Sequence, residues 1–110
     1  MDLLDKWCEQ KLELDEVTAE VKKIGVRNQV SLTDKDAAHI AGLIMGIYYK
    51  FHAPERVVGH VSMALIKNNF YRFFRKADLT NGRAAVVYHE YFYNWAPEDW
   101  RQRILAAEVR

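Results

Sequence analysis

The segment FYRFFRKADLTNGRAAVVYHEYF, Phe70 to Phe92, limits the fold more than any other part of the chain, because it reads as an antiparallel β-hairpin. A first strand over about 70–76 would put Tyr71, Phe73 and Arg75 on one face and Phe70, Arg72, Phe74 and Lys76 on the other, since successive side chains of a strand alternate. A second strand over about 83–92 is β-branched and aromatic with no cleanly polar face, so both its sides are expected to be covered. Asn81-Gly82 supplies the turn signal, within a link longer than a tight two-residue turn.

Upstream of this hairpin the periodicity is helical. Leu3, Leu4, Trp7, Leu14, Val17, Val21 and Ile24 recur every three to four positions, which predicts one amphipathic helix or two in succession. Gly25, after Lys22 and Lys23, is the expected stop. Thr33 and Asp36 have capping-box spacing ahead of a helix over about Asp34 to Phe51, in which Gly42 and Gly46 are expected to permit close backbone approach. Pro54 suits the first turn of a further helix, to about Lys67, with Val57, Val58, Val61 and Leu65 inward and Asn68 and Asn69 closing it. Pro97 opens a last helix, to about Val109, whose Trp100, Ile104, Leu105 and Ala107 would dock on the sheet. The sum is an α+β single domain, 1–110: a helical N-terminal two thirds, the hairpin at about 70–76 and 83–92, and a C-terminal helix.

Composition narrows the function classes. At 110 residues, half of them hydrophobic, the chain is long enough to bury one modest core without staples. Its formal net charge of +1 offers no global field for nucleic acid or an anionic membrane. The most apolar run, Ala37 to Phe51, carries a histidine and a lysine and falls short of the roughly 20 residues that span a bilayer. Cys8 is the one cysteine, read as a small buried hydrophobe. A lone thiol and an N-terminus without signal-peptide pattern predict a cytoplasmic protein. The four histidines include no pair at metal-site spacing on a helix, so no metal is expected. His52, at a helix junction, has the titration range of a general base.

IAGLIMGIYYKFHAPERVV followed by KNNFYRFFRKADLTNGRAAVVYHEYF, with PEDW at Pro97 to Trp100, resembles the N-terminal half of the toxin-activating lysine acyltransferases, which are GNAT-like in fold. The resemblance implies His52 as the catalytic histidine, Asn69 and Tyr88 near the site, an acyl carrier protein as donor and no bound cofactor. In the family a serine–proline pair precedes the histidine, where this chain has Lys50 and Phe51. A second reading is a non-enzymatic interaction module, such as an accessory or inhibitor protein of a phage or mobile element. Tyr71, Arg72 and Arg75 would then meet a protein partner, since aromatics and arginine dominate interfaces. A hairpin edge could also pair with a second copy as a homodimer. Single-stranded nucleic acid is the third reading; near-zero net charge and the lack of an RNA-recognition consensus argue against it.

Overall fold

The computed structural model describes residues 1–69, 72–73 and 83–108, and among these every regular element is a helix. The order is α1 (Leu3–Cys8), α2 (Leu14–Arg27), α3 (Asp34–His52), α4 (His60–Ile66), α5 (Ala85–Trp95) and α6 (Trp100–Glu108). The expected α+β class is therefore corrected to all-α. The second strand, 83–92, is replaced by α5, and of the first, 70–76, only Arg72 and Phe73 are described, both helical. The remaining positions of that strand, Asn81 and Gly82 lie outside the described residues. The physical reason lies in the spacing. Ala84, Val87, Tyr88, Tyr91 and Phe92 are all buried, and their intervals of three and four are those of one helix face. This period outweighs the β-preferring composition of the segment.

The α2–α3 pair is an antiparallel hairpin at the centre. Thr33 caps α3, accepting from the Asp36 amide at 3.0 Å, while Asp36 Oδ2 accepts from the Thr33 amide at 3.1 Å, so the capping box forms as expected. Helix α5 runs antiparallel along α2: Arg27 Nε donates to Glu90 Oε2 at 3.0 Å, Asn28 Nδ2 to Glu90 Oε1 at 3.1 Å, and Trp95 Nε1 to Glu20 Oε2 at 3.2 Å. Helices α4 and α6 cover the rest of α3, and α1 lies against α5. Side chains from all six helices join one hydrophobic cluster, among them Trp7, Val21, Ile44, Leu65, Tyr91 and Ile104.

Three helices end in the same way, and without glycine. Gln10, Gln29 and Asn68 have φ of 59°, 57° and 55°. After each, the next amide reaches back to close a six-residue ring: Lys11 to the Lys6 carbonyl at 2.8 Å, Val30 to Gly25 at 2.8 Å and Asn69 to Ala64 at 2.9 Å. These are left-handed caps of the Schellman type. The cap at Gln10 separates α1 from α2, so the first periodic stretch forms two helices in succession, and the cap at Gln29 carries α2 past its predicted stop at Gly25. Asn68 closes α4 as expected.

Gly25 instead serves packing: a Cβ there would stand 2.9 Å from Leu32 Cδ1 and 3.3 Å from the Val30 carbonyl oxygen. At Gly42 and Gly46 a Cβ would meet nothing within 4 Å, so the expected close approach is absent there. Gly25→Ala should destabilise by about 1 kcal/mol or more, whereas Gly42→Ala and Gly46→Ala should each stabilise by about 0.5–1 kcal/mol through helix propensity. Urea midpoints that do not separate the Gly25 variant from the other two would contradict this assignment.

The helix expected from Pro54 begins only at His60. Residues 54–58 form no helix because the Pro54 and Arg56 carbonyls turn inward, accepting from Lys50 Nζ at 3.0 and 2.7 Å. Val57, expected in the core, is 95% exposed, and Cys8 is exposed rather than buried.

Two surface carboxylates lie below the usual carboxylate range: Glu90 through the hydrogen bond from Arg27 and then Asn28, and Asp34 through that from Lys22. Their contribution is present above the unfolded carboxylate range and is lost as pH falls through the lowered values. Stability should decline on acidification below about pH 4, and Glu90→Gln should make that decline shallower in acid-titrated melts.

Candidate functional site

Among the described residues, those singled out from sequence lie on separate elements. His52, the last residue of α3, is half-buried, and its Nε2 donates to the Trp7 carbonyl at 2.6 Å. A carbonyl only accepts, so Nε2 carries the proton and the ring clasps the end of α1. Tyr48 and Phe51 flank it edge-on at 5.1 and 4.9 Å. Asn69 Oδ1 accepts from the Arg72 amide at 3.0 Å, which places these two together beyond the end of α4, with Arg72 exposed. Tyr88 is fully buried on α5, edge-on to Phe73 at 6.1 Å. Tyr71 and Arg75 lie outside the described residues. Among the described residues no cluster of histidine, cysteine or carboxylate side chains is suited to hold a metal.

A surface that the sequence reading missed is built by α5 and α6. Val86, His89 and Tyr93 stand on the outward face of α5, at spacings of three and four along the helix. Val86 is 41% and Tyr93 82% exposed, and the His89 and Tyr93 rings lie nearly parallel, 6.5 Å apart. Extended backbone at Ala96, imposed by the following Pro97, ends α5 and turns the chain into α6. The elbow encloses a cleft of about 510 Å³, lined by Leu4, Phe92, Tyr93, Glu98, Trp100 and Arg101 among others. Phe92 and Trp100 stack at 4.4 Å and form its apolar wall. The Arg101 guanidinium lies 4.5 Å over the Trp100 ring, and its Nε donates to the Leu65 carbonyl at 2.9 Å. Burial pulls the Arg101 pKa below its ordinary value. The signal that could have found this surface is the helical period of 84–95, which leaves 86, 89 and 93 outward.

A second hollow, about 620 Å³, lies between the 54–58 segment, α4 and the end of α6. At its base Lys50, only 3% exposed, is ion-paired to Glu108 at 2.9 Å and bonded to the two carbonyls described above. Its donors are thereby satisfied, and the group reads as a structural tie.

The α2–α5 seam also buries an unpartnered hydroxyl. Tyr91 is fully buried and its Oη has no hydrogen-bond partner among the described residues. Burial first, then the Glu20 and Glu16 carboxylates, push its ionisation well above the usual phenol range. Tyr91→Phe removes only this orphan group, so it should hold or raise stability by up to about 1 kcal/mol. A loss of 1 kcal/mol or more in urea unfolding would show that the hydroxyl has a partner.

No family model matches the chain, and neither the curated proteins nor the solved structures contain a match to it. The resemblance to toxin-activating lysine acyltransferases is overturned: the segment matched to their paired strands holds α5, and no strand occurs among the described residues. The acyl carrier protein donor and the acyltransferase activity, which rested on that GNAT-like fold, fall with it. Among the described residues no helix is long and apolar enough to cross a membrane.

Proposed function

We propose that this chain is a small helical protein-interaction module and that the outward face of α5 is its contact surface. The observation that carries this reading is the exposed row Val86, His89 and Tyr93, in which a tyrosine stands 82% exposed beside a stacked histidine. An exposed, rigid aromatic on a helix is the side-chain type that dominates interface energetics. A helix face read at three- and four-residue spacing fits the helix-in-groove mode of recognition. Arg72, exposed and bonded through its amide to Asn69, offers a second contact of the same kind. The partner is another protein or a second copy of this chain. A reducing compartment such as the cytoplasm suits the exposed, unpaired thiol of Cys8.

The test compares the unaltered protein with a Val86→Asp/Tyr93→Ala variant. Both positions are solvent-facing, so the variant should fold normally. Sedimentation of the two proteins detects self-association, and affinity capture from the native host detects a foreign partner. A partner retained by the unaltered protein, lost by the variant and rebound as a purified component with the same dependence supports the proposal. Equal retention by both proteins rejects the α5 face as the contact surface.

A further inference from the structure

We propose that the elbow cleft between α5 and α6 binds a small organic acid, whose carboxylate is received by Arg101 and whose flat apolar body lies against Phe92, Tyr93 and Trp100. This goes beyond the interaction reading and does not depend on it. Volume is the first argument: about 510 Å³ falls within the range of small-molecule sites and is far below what a folded partner needs. The wall is the second, since the exposed Tyr93 ring and the edges of the nearly buried Phe92 and Trp100 rings line the cleft with apolar surface.

Charge is the third argument, and it selects the ligand's sign. Arg101 is half-buried, yet no carboxylate among the described residues pairs with it. Among the described residues its one hydrogen bond, to the Leu65 carbonyl, uses Nε and leaves the paired Nη groups of the fork without a partner there. A guanidinium held 4.5 Å over an indole ring, with these Nη groups free, is suited to two-point binding of a carboxylate. Among the described residues nothing anionic offsets the effect of burial on Arg101, although Glu98 also lines the cleft. Glu98 is exposed, and the high dielectric of the water around its carboxylate weakens its repulsion of an acid held at Arg101.

The experiment titrates isotope-labelled protein with 3-phenylpropionate and, separately, with its neutral amide, following backbone amide resonances. The acid should bind with Kd on the order of 1 mM, as its size allows. Its shifts should centre on Phe92 to Arg101, and the amide should bind about tenfold more weakly. Arg101→Gln should abolish the difference between the two probes. If that variant does not fold, the Arg101 Nε resonance of the unaltered protein decides: movement with the acid and not the amide supports the site. Equal affinity for acid and amide, shifts centred on the Lys50 hollow, or no shifts at all would overturn it.

Discussion

Trp7→Ala should lower the stability of the fold by about 4 kcal/mol, the largest effect expected of any single truncation here. Trp7 is fully buried, and its ring meets three others edge-on: Tyr48 at 5.3 Å, Phe51 at 5.6 Å and Phe92 at 6.1 Å. One side chain therefore joins α1 to both α3 and α5. Alanine leaves a ring-sized void that two sides of the core cannot close together. The indole Nε1 is itself buried without a partner among the described residues. Trp7→Phe keeps most of the ring contacts and removes that orphan group, so its loss should be less than half as large. The His52 clasp accompanies both variants, because it holds the backbone carbonyl of residue 7. Urea unfolding followed by far-ultraviolet circular dichroism measures both. A loss under 1 kcal/mol for alanine would show that α1 is not integral to the core.

Lys50→Met comes next, at about 3 kcal/mol. The methionine retains the apolar stem, so the loss reports the ammonium alone. That group serves three acceptors: the Pro54 carbonyl at 3.0 Å, the Arg56 carbonyl at 2.7 Å and the Glu108 carboxylate at 2.9 Å. Removing it leaves buried carbonyls unmatched, which is costlier than the net value of the bonds themselves. Glu108 is partly exposed and can return to water. Glu108→Gln should accordingly cost under 1 kcal/mol, and added salt should change the Lys50→Met loss little. Equal losses for the two variants would mean that the ion pair, rather than the carbonyl bonds, carries the tie.

The long amphipathic segments were the legible part of the fold. Helix α3 announced itself through Thr33 and Asp36, whose reciprocal bonds are local and depend on nothing distant. Helix α5 did not, because its β-branched and aromatic residues favour strands in isolation and only burial on one face fixes the helix. The chain reversals were harder still, since glutamine at a left-handed cap carries no compositional flag. The 54–58 segment was misread because its conformation answers to Lys50 and Glu108, the latter from the far end of the chain. Of the candidate surface, the sequence marks Tyr88, which is core, while Tyr93 and Arg101 carry no mark of their own. Their significance depends on the elbow at Pro97, which only the packed helices define.

The seam between α2 and α5 bears on how the chain reaches this state. Trp95 and Glu20, which bond across it, lie 75 residues apart, and the His52 clasp on Trp7 spans 45. A helical protein built from sequential neighbours forms its contacts through small loops and assembles quickly. Here the α2–α3 hairpin can form early, but α5 must be gathered in from a remote part of the chain, and α1 docked on it, before the core closes. Refolding should therefore be slower than the helix content suggests. The hairpin should act as the nucleus, with substitutions there slowing folding, while those at the α2–α5 seam chiefly speed unfolding.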